Sequence, residues 1–465
     1  MEPETTRRDF IRGGTLATAG LVVAAGSTSE TEGAEPAAKP EHPHHPAVKD
    51  YPRDHAGPGG PLGSATDRGK LVPGLRAATE PPVLVETPDL PSNLPWKMVK
   101  GAKEFHLHAQ PVKRELLPGA FMNHWGYNGT MPGPTIQVNE GDRVRLVVHN
   151  ELPEATTLHL HGLELPIALD GIPHVTQDPI PPGGMGVYEL TVHQTGTYFY
   201  HPHAAMQEAI GMVGLFIIHP RSTFTPAVDQ DFAFISQEFR ILPASDTPDT
   251  TQMDFNWLTF NGRCGPYCTP AVVRLGHRVR IRIVNFSTAD HHPIHLHGHT
   301  FWVTGTEGGR IPEGAWIPGN NVLVAVAQVR EFEFIANNPG DWVMHCHMFH
   351  HMMNHMVSGV GPGSRGLARN GREDPRYKVP GFPQGTGMMA MMSAAEVAKV
   401  NNKPQTRGMR PHWYMGVDGL FTVVRVLPPD LYDKVVSGKG EVAPGASVPG
   451  SMPARDMGHM EHKKP

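Results

Sequence analysis

An internal repeat constrains the fold of this chain more than any other feature. Three segments of the first half recur later in the same order: 141–150 as 276–285, 159–162 as 295–298, and 196–203 as 340–347. The offsets are 135, 136 and 144 residues. Because the order and the spacing are both kept, two related units stand in tandem, and each must fold in the same way.

Both units have the pattern of β-structure. Their apolar runs are short, alternating and rich in β-branched or aromatic residues, and Pro/Gly turns such as 181–184 and 337–340 separate them. This spacing predicts an all-β fold built from sandwiches. We expect the first domain at 95–222 and the second at 228–362. Residues 363–465 are predicted to form a C-terminal extension with a possible short strand at 420–426 and a Met/His-rich tail.

The N-terminus has the pattern of an export signal. Arg7 and Arg8 precede a short apolar run, which is typical of the twin-arginine pathway. We therefore expect a signal peptide at 1–35, a periplasmic or otherwise exported location, and a Pro/Gly/His-rich linker without defined structure at 36–94. No run reaches the roughly 18 apolar residues of a membrane span. A net charge of −5 predicts no nucleic-acid partner.

Four His-x-His pairs are the strongest chemical signal. They are His159/His161, His201/His203, His295/His297 and His345/His347. Alternate residues of a strand share a face, so each pair directs two imidazoles to one point. The chain has 29 His and 22 Met but only 3 Cys, and these soft ligands suit copper. Eight repeat-related imidazoles predict a cluster of several metal ions.

A second kind of metal site surrounds Cys346, whose side chain points away from its two neighbouring histidines. His292 lies three residues before the third pair, and His351 and Met356 follow Cys346 at intervals of five residues. Two His, one Cys and a weak Met form the ligand set of a blue-copper electron-transfer site. The first unit has other residues at the matching positions, namely Thr156, Pro202, Gln207 and Met212. Only the second unit is therefore predicted to carry this copper.

These motifs resemble those of multicopper oxidases. Segments 292–298 and 345–356 are similar to the two C-terminal copper signatures of that family, and 159–163 and 200–203 to the two N-terminal ones. The resemblance implies two tandem cupredoxin-like Greek-key domains and four copper ions. It implies a type 1 copper at His292, Cys346, His351 and Met356, and a type 2 copper at His159 and His295. A type 3 pair would bind at His161, His201, His203, His297, His345 and His347.

The spacing of the motifs resembles the two-domain, small-laccase type. Only 92 residues separate His203 from His295, too few for a further domain. In that type the cluster forms between neighbouring subunits, which implies a homotrimer because head-to-tail interfaces must close. Asp170 resembles the family's acidic residue beside the type 2 copper and is predicted to relay protons. Met352 stands where some members carry a second carboxylate.

The resemblance implies an oxidase that couples four one-electron oxidations to the reduction of dioxygen to water. Phenols, aromatic amines or metal ions such as Cu(I) are the expected donors. Copper nitrite reductase is an alternative, although four His-x-His pairs argue against it. Non-enzymatic copper sequestration is another, since the His and Met excess would suffice for it. Cys264 and Cys268 are expected to form a local disulfide, which export permits, with free thiols as the alternative.

Overall fold

The first β-sandwich is formed by the N-terminal half of the described chain. The computed structural model describes residues 76–77, 83–224, 226–242, 245–352, 393–415 and 419–447. The strands of this half are β1 Arg76–Ala77, β2 Lys97–Val99, β3 Ala102–Leu117, β4 Ala120–Tyr127, β5 Ile136–Asn139, β6 Arg143–Asn150, β7 His159–His161, β8 Met185–Thr191, β9 Gly196–His201, β10 Gly214–His219 and β11 Ser222–Thr223.

Two sheets pack face to face in this sandwich. One has the strand order β2-β3-β6-β8, with β4 on the far side of β3, and the other has the order β5-β10-β9-β7. Strand β6 shows why the alternating pattern folds this way: Val144, Leu146 and Val148 are buried in the core, whereas Arg143 and Arg145 face outward. The short pair β1–β11 lies outside both sheets.

The second sandwich repeats this plan. Its strands are β12 Gln230–Phe239, β13 Trp257–Phe260, β14 Ala271–Arg274, β15 Arg278–Asn285, β16 His292–Leu296, β17 Phe301–Thr306, β18 Gly309–Arg310, β19 Ile317–Gly319, β20 Asn321–Val324, β21 Val329–Ile335, β22 Gly340–Cys346 and β23 Phe421–Leu427. One sheet has the order β13-β12-β15-β21-β17-β18 with β19 on β17, and the other has the order β14-β23-β22-β16-β20. The predicted all-β fold of two tandem sandwiches is confirmed.

An apolar interface joins the two sandwiches. Phe199 and Leu215 of β9 and β10 pack against Ile235 and Val284 of β12 and β15 in one buried cluster. This contact agrees with a difference between the repeats, because β15 is buried along almost its whole length whereas β6 has three residues, Arg143, Arg145 and His149, that are not buried. The sheet that carries β9 is therefore covered on both faces.

Two predicted boundaries need correction. The linker prediction of 36–94 fails for its described end, because Val85 is fully buried in the interface between the sandwiches and Glu86 forms backbone hydrogen bonds with Asp231 and Ala233. The predicted end of the second domain at 362 is too early. The strand expected at 420–426 exists as β23, but it lies inside the sheet of the second sandwich, between β14 and β22, where β10 lies in the first.

The rest of the C-terminal extension covers the sandwiches from outside. The α-helices in its described part are α1 Ala394–Asn401 and α2 Pro429–Ser437. Val400 of α1 packs against Leu116 of the first sandwich and Trp257 of the second, and Ser393 and Glu396 form a capping box at its start. Within the described ranges, no helix has the length and apolar character needed to cross a membrane.

Candidate metal centres

Pairing between β7 and β9 brings the first four histidines together. His159 lies opposite His201 in the register, and His161 and His203 extend from the same face. The ring centre of His159 lies 5.5 Å from that of His161, 5.1 Å from that of His201 and 5.6 Å from that of His203. The ligand nitrogens of His159, His161 and His201 all lie within 4.8 Å of one another. This spacing matches a site where several imidazoles converge on metal.

Pairing between β16 and β22 forms an equivalent group in the second sandwich. His295 lies opposite His345, and its ring centre lies 4.6 Å from that of His297 and 5.5 Å from that of His347. The Nε2 atoms of His297 and His345 are 3.0 Å apart. The repeat has therefore placed two groups of four imidazoles at corresponding ends of two sheets.

Backbone carbonyls orient the rings in the same way in both groups. The Nδ1 atoms of His159 and His295 donate to the carbonyl oxygens of Asp170 and Asn320, each at 2.6 Å. The Nδ1 of His201 donates to Pro202 O at 2.7 Å, and that of His345 donates to Cys346 O at 2.8 Å. A hydrogen bond at one ring nitrogen fixes the tautomer and leaves the other as a metal ligand.

The electrostatic environment favours the neutral form of four rings, two in each group. Burial and neighbouring histidines lower the pKa of His161 and of His345 to about 4. Burial also lowers the pKa of His159 and of His297. At neutral pH the rings therefore keep the lone pair that a metal requires.

The two groups of four histidines do not meet within one chain. Each group makes ring contacts among its own members, and among the described residues no ring contact joins a histidine of one group to a histidine of the other. His201 instead packs against Phe286, with ring centres 5.2 Å apart. Each group is therefore half of the eight-imidazole set that the sequence predicts.

A third group of donors lies within the second sandwich, on the other face of β22. The Nδ1 atoms of His292 and His351 are 3.0 Å apart, and the Sγ of Cys346 lies 3.7 and 3.4 Å from them. All three residues are buried, and Ser287 Oγ contacts the other ring nitrogen of His292 at 2.6 Å. This leaves the Nδ1 atoms facing the sulfur. Met356 lies outside the described residues.

Burial controls the protonation of this group in the metal-free protein. It lowers the pKa of His292 to about 3, with His351 adding to the effect, and raises the pKa of Cys346 to about 12. Burial, with Asp290 and Glu238 nearby, disfavours an isolated thiolate. A bound cation reverses the preference, because metal coordination deprotonates a thiol outright.

The first sandwich has replaced these donors with a hydrogen bond. Thr156 and Gln207 stand where the repeat places His292 and His351, and Thr156 Oγ1 donates to Gln207 Oε1 at 2.7 Å. Gln207 Nε2 donates to Glu154 Oε1 at 2.9 Å. Both positions are buried and satisfied without metal. These contacts agree with the prediction that only the second unit has the Cys-containing donor set.

Carboxylates lie beside the first histidine group and beside the His/Cys/His donor group. Asp170 Oδ1 is 3.4 Å from His159 Nδ1, in the place predicted for a proton relay. Sequence reasoning missed Glu208, whose Oε2 lies 3.4 Å from His201 Nδ1; its position five residues after His203 was the available signal. It also missed Asp290, whose Oδ2 lies 3.4 Å from His351 Nε2.

The disulfide predicted between Cys264 and Cys268 is wrong, since both residues are thiols. The two side chains pack in different clusters: Cys264 lies with Leu116 beneath the extension, and Cys268 lies with Phe260 in the core of the second sandwich. The Cys268 thiol donates to Arg263 O at 2.9 Å. Their separation in sequence is short, but they face different ways.

Comparison with known proteins identifies the family. A family model described as multicopper oxidase matches residues 108–223, and a second model with the same description matches residues 241–361. The chain is 33% identical over 233 residues to the multicopper oxidase mco of Staphylococcus aureus, an alignment that covers 47% of this chain and 50% of that protein. It is 45% identical over 94 residues to copper resistance protein A of Pseudomonas syringae pv. tomato, covering 20% of this chain and 15% of that protein.

Two solved structures agree. The alignment with the blue copper oxidase from Nitrosomonas europaea covers 70% of this chain and 85% of that chain, with a TM-score of 0.52 and 22% identity, and supports the fold alone. The alignment with the multicopper oxidase mgLAC covers 59% of this chain and 92% of that chain, with a TM-score of 0.50 and 25% identity. The chain spans 15% to 50% of the length of the two curated relatives described above. Its two matched regions and its two sandwiches nevertheless establish that the chain belongs to the multicopper oxidase family.

Proposed function

We propose that this protein is a copper-dependent oxidase that couples four one-electron oxidations of a donor to the four-electron reduction of dioxygen to water. One observation carries the proposal. Strand β22 places Cys346 in a buried His/Cys/His donor group on one face and places His345 and His347 in a histidine group on the other. The two kinds of site that such a reaction needs are thus adjacent on one strand.

The donor atoms fit copper. His292, Cys346 and His351 offer two imidazoles and one thiolate, the ligand set of blue-copper sites, and the two groups of four imidazoles suit further copper ions. We propose one type 1, one type 2 and two type 3 ions per functional unit, with the type 1 ion at His292, Cys346 and His351 and the other three at the eight paired histidines. When bound, copper would supply the one-electron chemistry that amino-acid side chains cannot.

The chain itself provides a short covalent connection between the two sites. Cys346 is joined to His345 and to His347 by a single peptide bond on each side. The hydrogen bond from His345 Nδ1 to Cys346 O, at 2.8 Å, adds a second connection between the same two residues. The proposed electron path therefore needs no mobile element. The buried His351 lies 3.4 Å from Asp290, whose side chain is 40% exposed. We propose that donors deliver electrons from this side.

Protons must reach the same centre, because reducing one dioxygen to two waters consumes four of them. We propose that Asp170, whose Oδ1 lies 3.4 Å from His159 Nδ1, relays protons to the reacting oxygen through water. Glu208 provides a second carboxylate beside His201. The two acids contact different histidines of the first group.

We further propose that the protein assembles as a homotrimer, with each three-copper cluster shared between the first sandwich of one subunit and the second sandwich of the next. The support is that the two histidine groups do not contact each other in one chain. A head-to-tail contact of this kind generates a closed ring or a filament, and three subunits close it in the small-laccase type that the motif spacing resembles.

A mixing experiment tests the assembly. One variant loses first-group ligands, His161→Ala with His203→Ala, and the other loses second-group ligands, His297→Ala with His345→Ala. Refolding the two together should restore oxygen uptake in a minority of interfaces, because some pair two intact halves. An active monomer, or no recovery in confirmed mixed assemblies, would place the cluster within one chain.

Oxygen uptake by the copper-loaded protein tests the function itself. Supplied in turn with Cu(I), Fe(II), Mn(II) and a phenol, the protein should consume one dioxygen for every four electrons with at least one donor. Cys346→Ser should abolish uptake, whereas Cys268→Ser, which alters a buried thiol outside the site, should not. Copper binding without uptake would instead indicate sequestration. Consumption of nitrite rather than oxygen would indicate a nitrite reductase.

We also propose that the protein works outside the cytoplasm. The support is the twin-arginine pattern of residues 1–35, which lie outside the described residues. Replacing Arg7 and Arg8 with lysine should retain the protein in the cytoplasm of a host with an intact twin-arginine pathway. Export of that variant at the wild-type level would refute the assignment.

A further inference from the structure

The strand that closes the second sandwich begins beside the His/Cys/His donor group. The residue before β23 is Leu420, whose carbonyl accepts a hydrogen bond from Cys346 N at 3.0 Å and whose N–H donates to His351 O at 2.8 Å. Leu420 is fully buried and belongs to the same core cluster as Cys346. Its backbone is therefore held between the backbones of two of the three donors.

The strand register determines which way Leu420 points. Along β22 and β23, Met344 lies opposite Thr422 and His345 lies opposite Phe421. Continuing this register by one residue places Leu420 opposite Cys346. Residues opposite each other in a sheet share a face, so the Leu420 side chain lies on the same side of the sheet as the Cys346 sulfur.

The first sandwich shows the same arrangement with a different residue. There Tyr200 lies opposite Gly214, as Met344 lies opposite Thr422, so Met212 occupies the position of Leu420. Met212 N donates to Gln207 O at 3.2 Å, just as Leu420 N donates to His351 O. By sequence spacing, Met212 of the first unit corresponds to Met356 of the second. By strand register, it corresponds to Leu420.

Two glycines hold the backbone of Leu420 in place. Gly419 has a φ of +86°, and a Cβ there would lie 2.4 Å from His351 O. Gly419 and Gly265 also exchange two backbone hydrogen bonds, at 2.7 and 3.2 Å. The first sandwich has Gly211, with a φ of +127°, before Met212. The turn at Gly265 thus holds the start of β23 against the donor group.

We propose that Leu420 occupies the axial position of the blue-copper site, so that copper there has three strong ligands and an apolar fourth side. The inference rests on the proposed function of this site and deepens it. The axial ligand tunes the potential of blue copper. Replacing a thioether with a side chain that donates no electrons raises that potential, which favours donors that are harder to oxidise.

Three variants of the copper-loaded protein test the inference, with the visible and electron paramagnetic resonance spectra and the type 1 potential as readouts. Leu420→Met should change the spectra and lower the potential, because it adds a thioether ligand. Met356→Leu should change neither. Leu427→Met is the matched control, since Leu427 is as buried as Leu420 but lies at the other end of β23. It should also change neither the spectra nor the potential.

A spectral or potential change from Met356→Leu, alone or together with Leu420→Met, would overturn the inference, and so would an unchanged Leu420→Met protein. If Leu420→Met does not fold, Met356→Leu alone decides between the two positions. Failure of the proposed function has a different signature. In that case the wild-type protein itself would consume no oxygen with any of the donors, whatever the spectra of the three variants.

Discussion

A buried ion cluster between the two sandwiches gives a quantitative test of the fold. Arg282 of β15 contacts Asp231 at 2.7 and 2.8 Å, Glu331 at 2.8 Å and the Thr197 hydroxyl at 2.7 Å. Only 4% of its side chain is exposed. Burial alone would lower the pKa of Arg282, but Asp231 and Glu331 hold it above its ordinary value. Because Thr197 belongs to β9, the cluster links the strand of His201 to the second sandwich.

Replacing Arg282 with methionine gives a side chain of similar volume, but it leaves the buried Glu331 without its cation and Asp231 with Arg280 alone, 3.6 Å away. Breaking a buried pair in this way costs about 3–5 kcal/mol. Arg143 offers a matched control, because its side chain is 54% exposed in an ion pair with Glu189. Arg143→Met should cost about 0–1 kcal/mol, the usual worth of a surface pair.

Urea unfolding followed by tryptophan fluorescence, on both variants in the same metal state, measures the two costs. Equal costs for the two variants would refute the reasoning.

Three further predictions concern other parts of the molecule. Asp170→Asn should slow dioxygen reduction by about 100-fold with unchanged copper content, while the exposed Asp178→Asn control should not, as oxygen-uptake rates will show. Burial alone would raise the pKa of Glu333, but surrounding arginines lower it to about 2. The stability that this carboxylate contributes should be complete above about pH 4.5 and should fall by about 3 kcal/mol as acid protonates it. Glu333→Gln should remove this pH dependence of the unfolding free energy. Copper-free protein unfolded without reductant should react with a thiol reagent at three cysteines. Reaction at only one would show that Cys264 and Cys268 form a disulfide after all.

Local sequence patterns predicted the features that depend on strand alternation. The four His-x-His pairs required only that 159–161, 201–203, 295–297 and 345–347 be extended, and the structure brings each set of four together by strand pairing. The repeat also predicted that the first unit lacks the Cys-containing donor group. These inferences succeeded because side-chain direction in a strand alternates with period two.

Features that depend on distant pairing could not be predicted in this way. Strand β23 pairs with β22 across residues 347–420, and nothing in the local sequence of β23 specifies that partner. The position of Leu420 depends on this pairing and was missed for the same reason. Glu208 was missed because its contact with His201 depends on the turn that follows β9. The thiols of Cys264 and Cys268 face different clusters, which sequence spacing does not reveal.

Counting copper in the purified, reconstituted protein tests the central claim most directly. The account predicts four copper ions per chain with an intense blue band in the wild type, and three ions with no blue band in Cys346→Ser, because only the donor group of His292, Cys346 and His351 loses its thiolate. A wild-type protein with one ion per chain, or a Cys346→Ser protein that stays blue, would contradict the account.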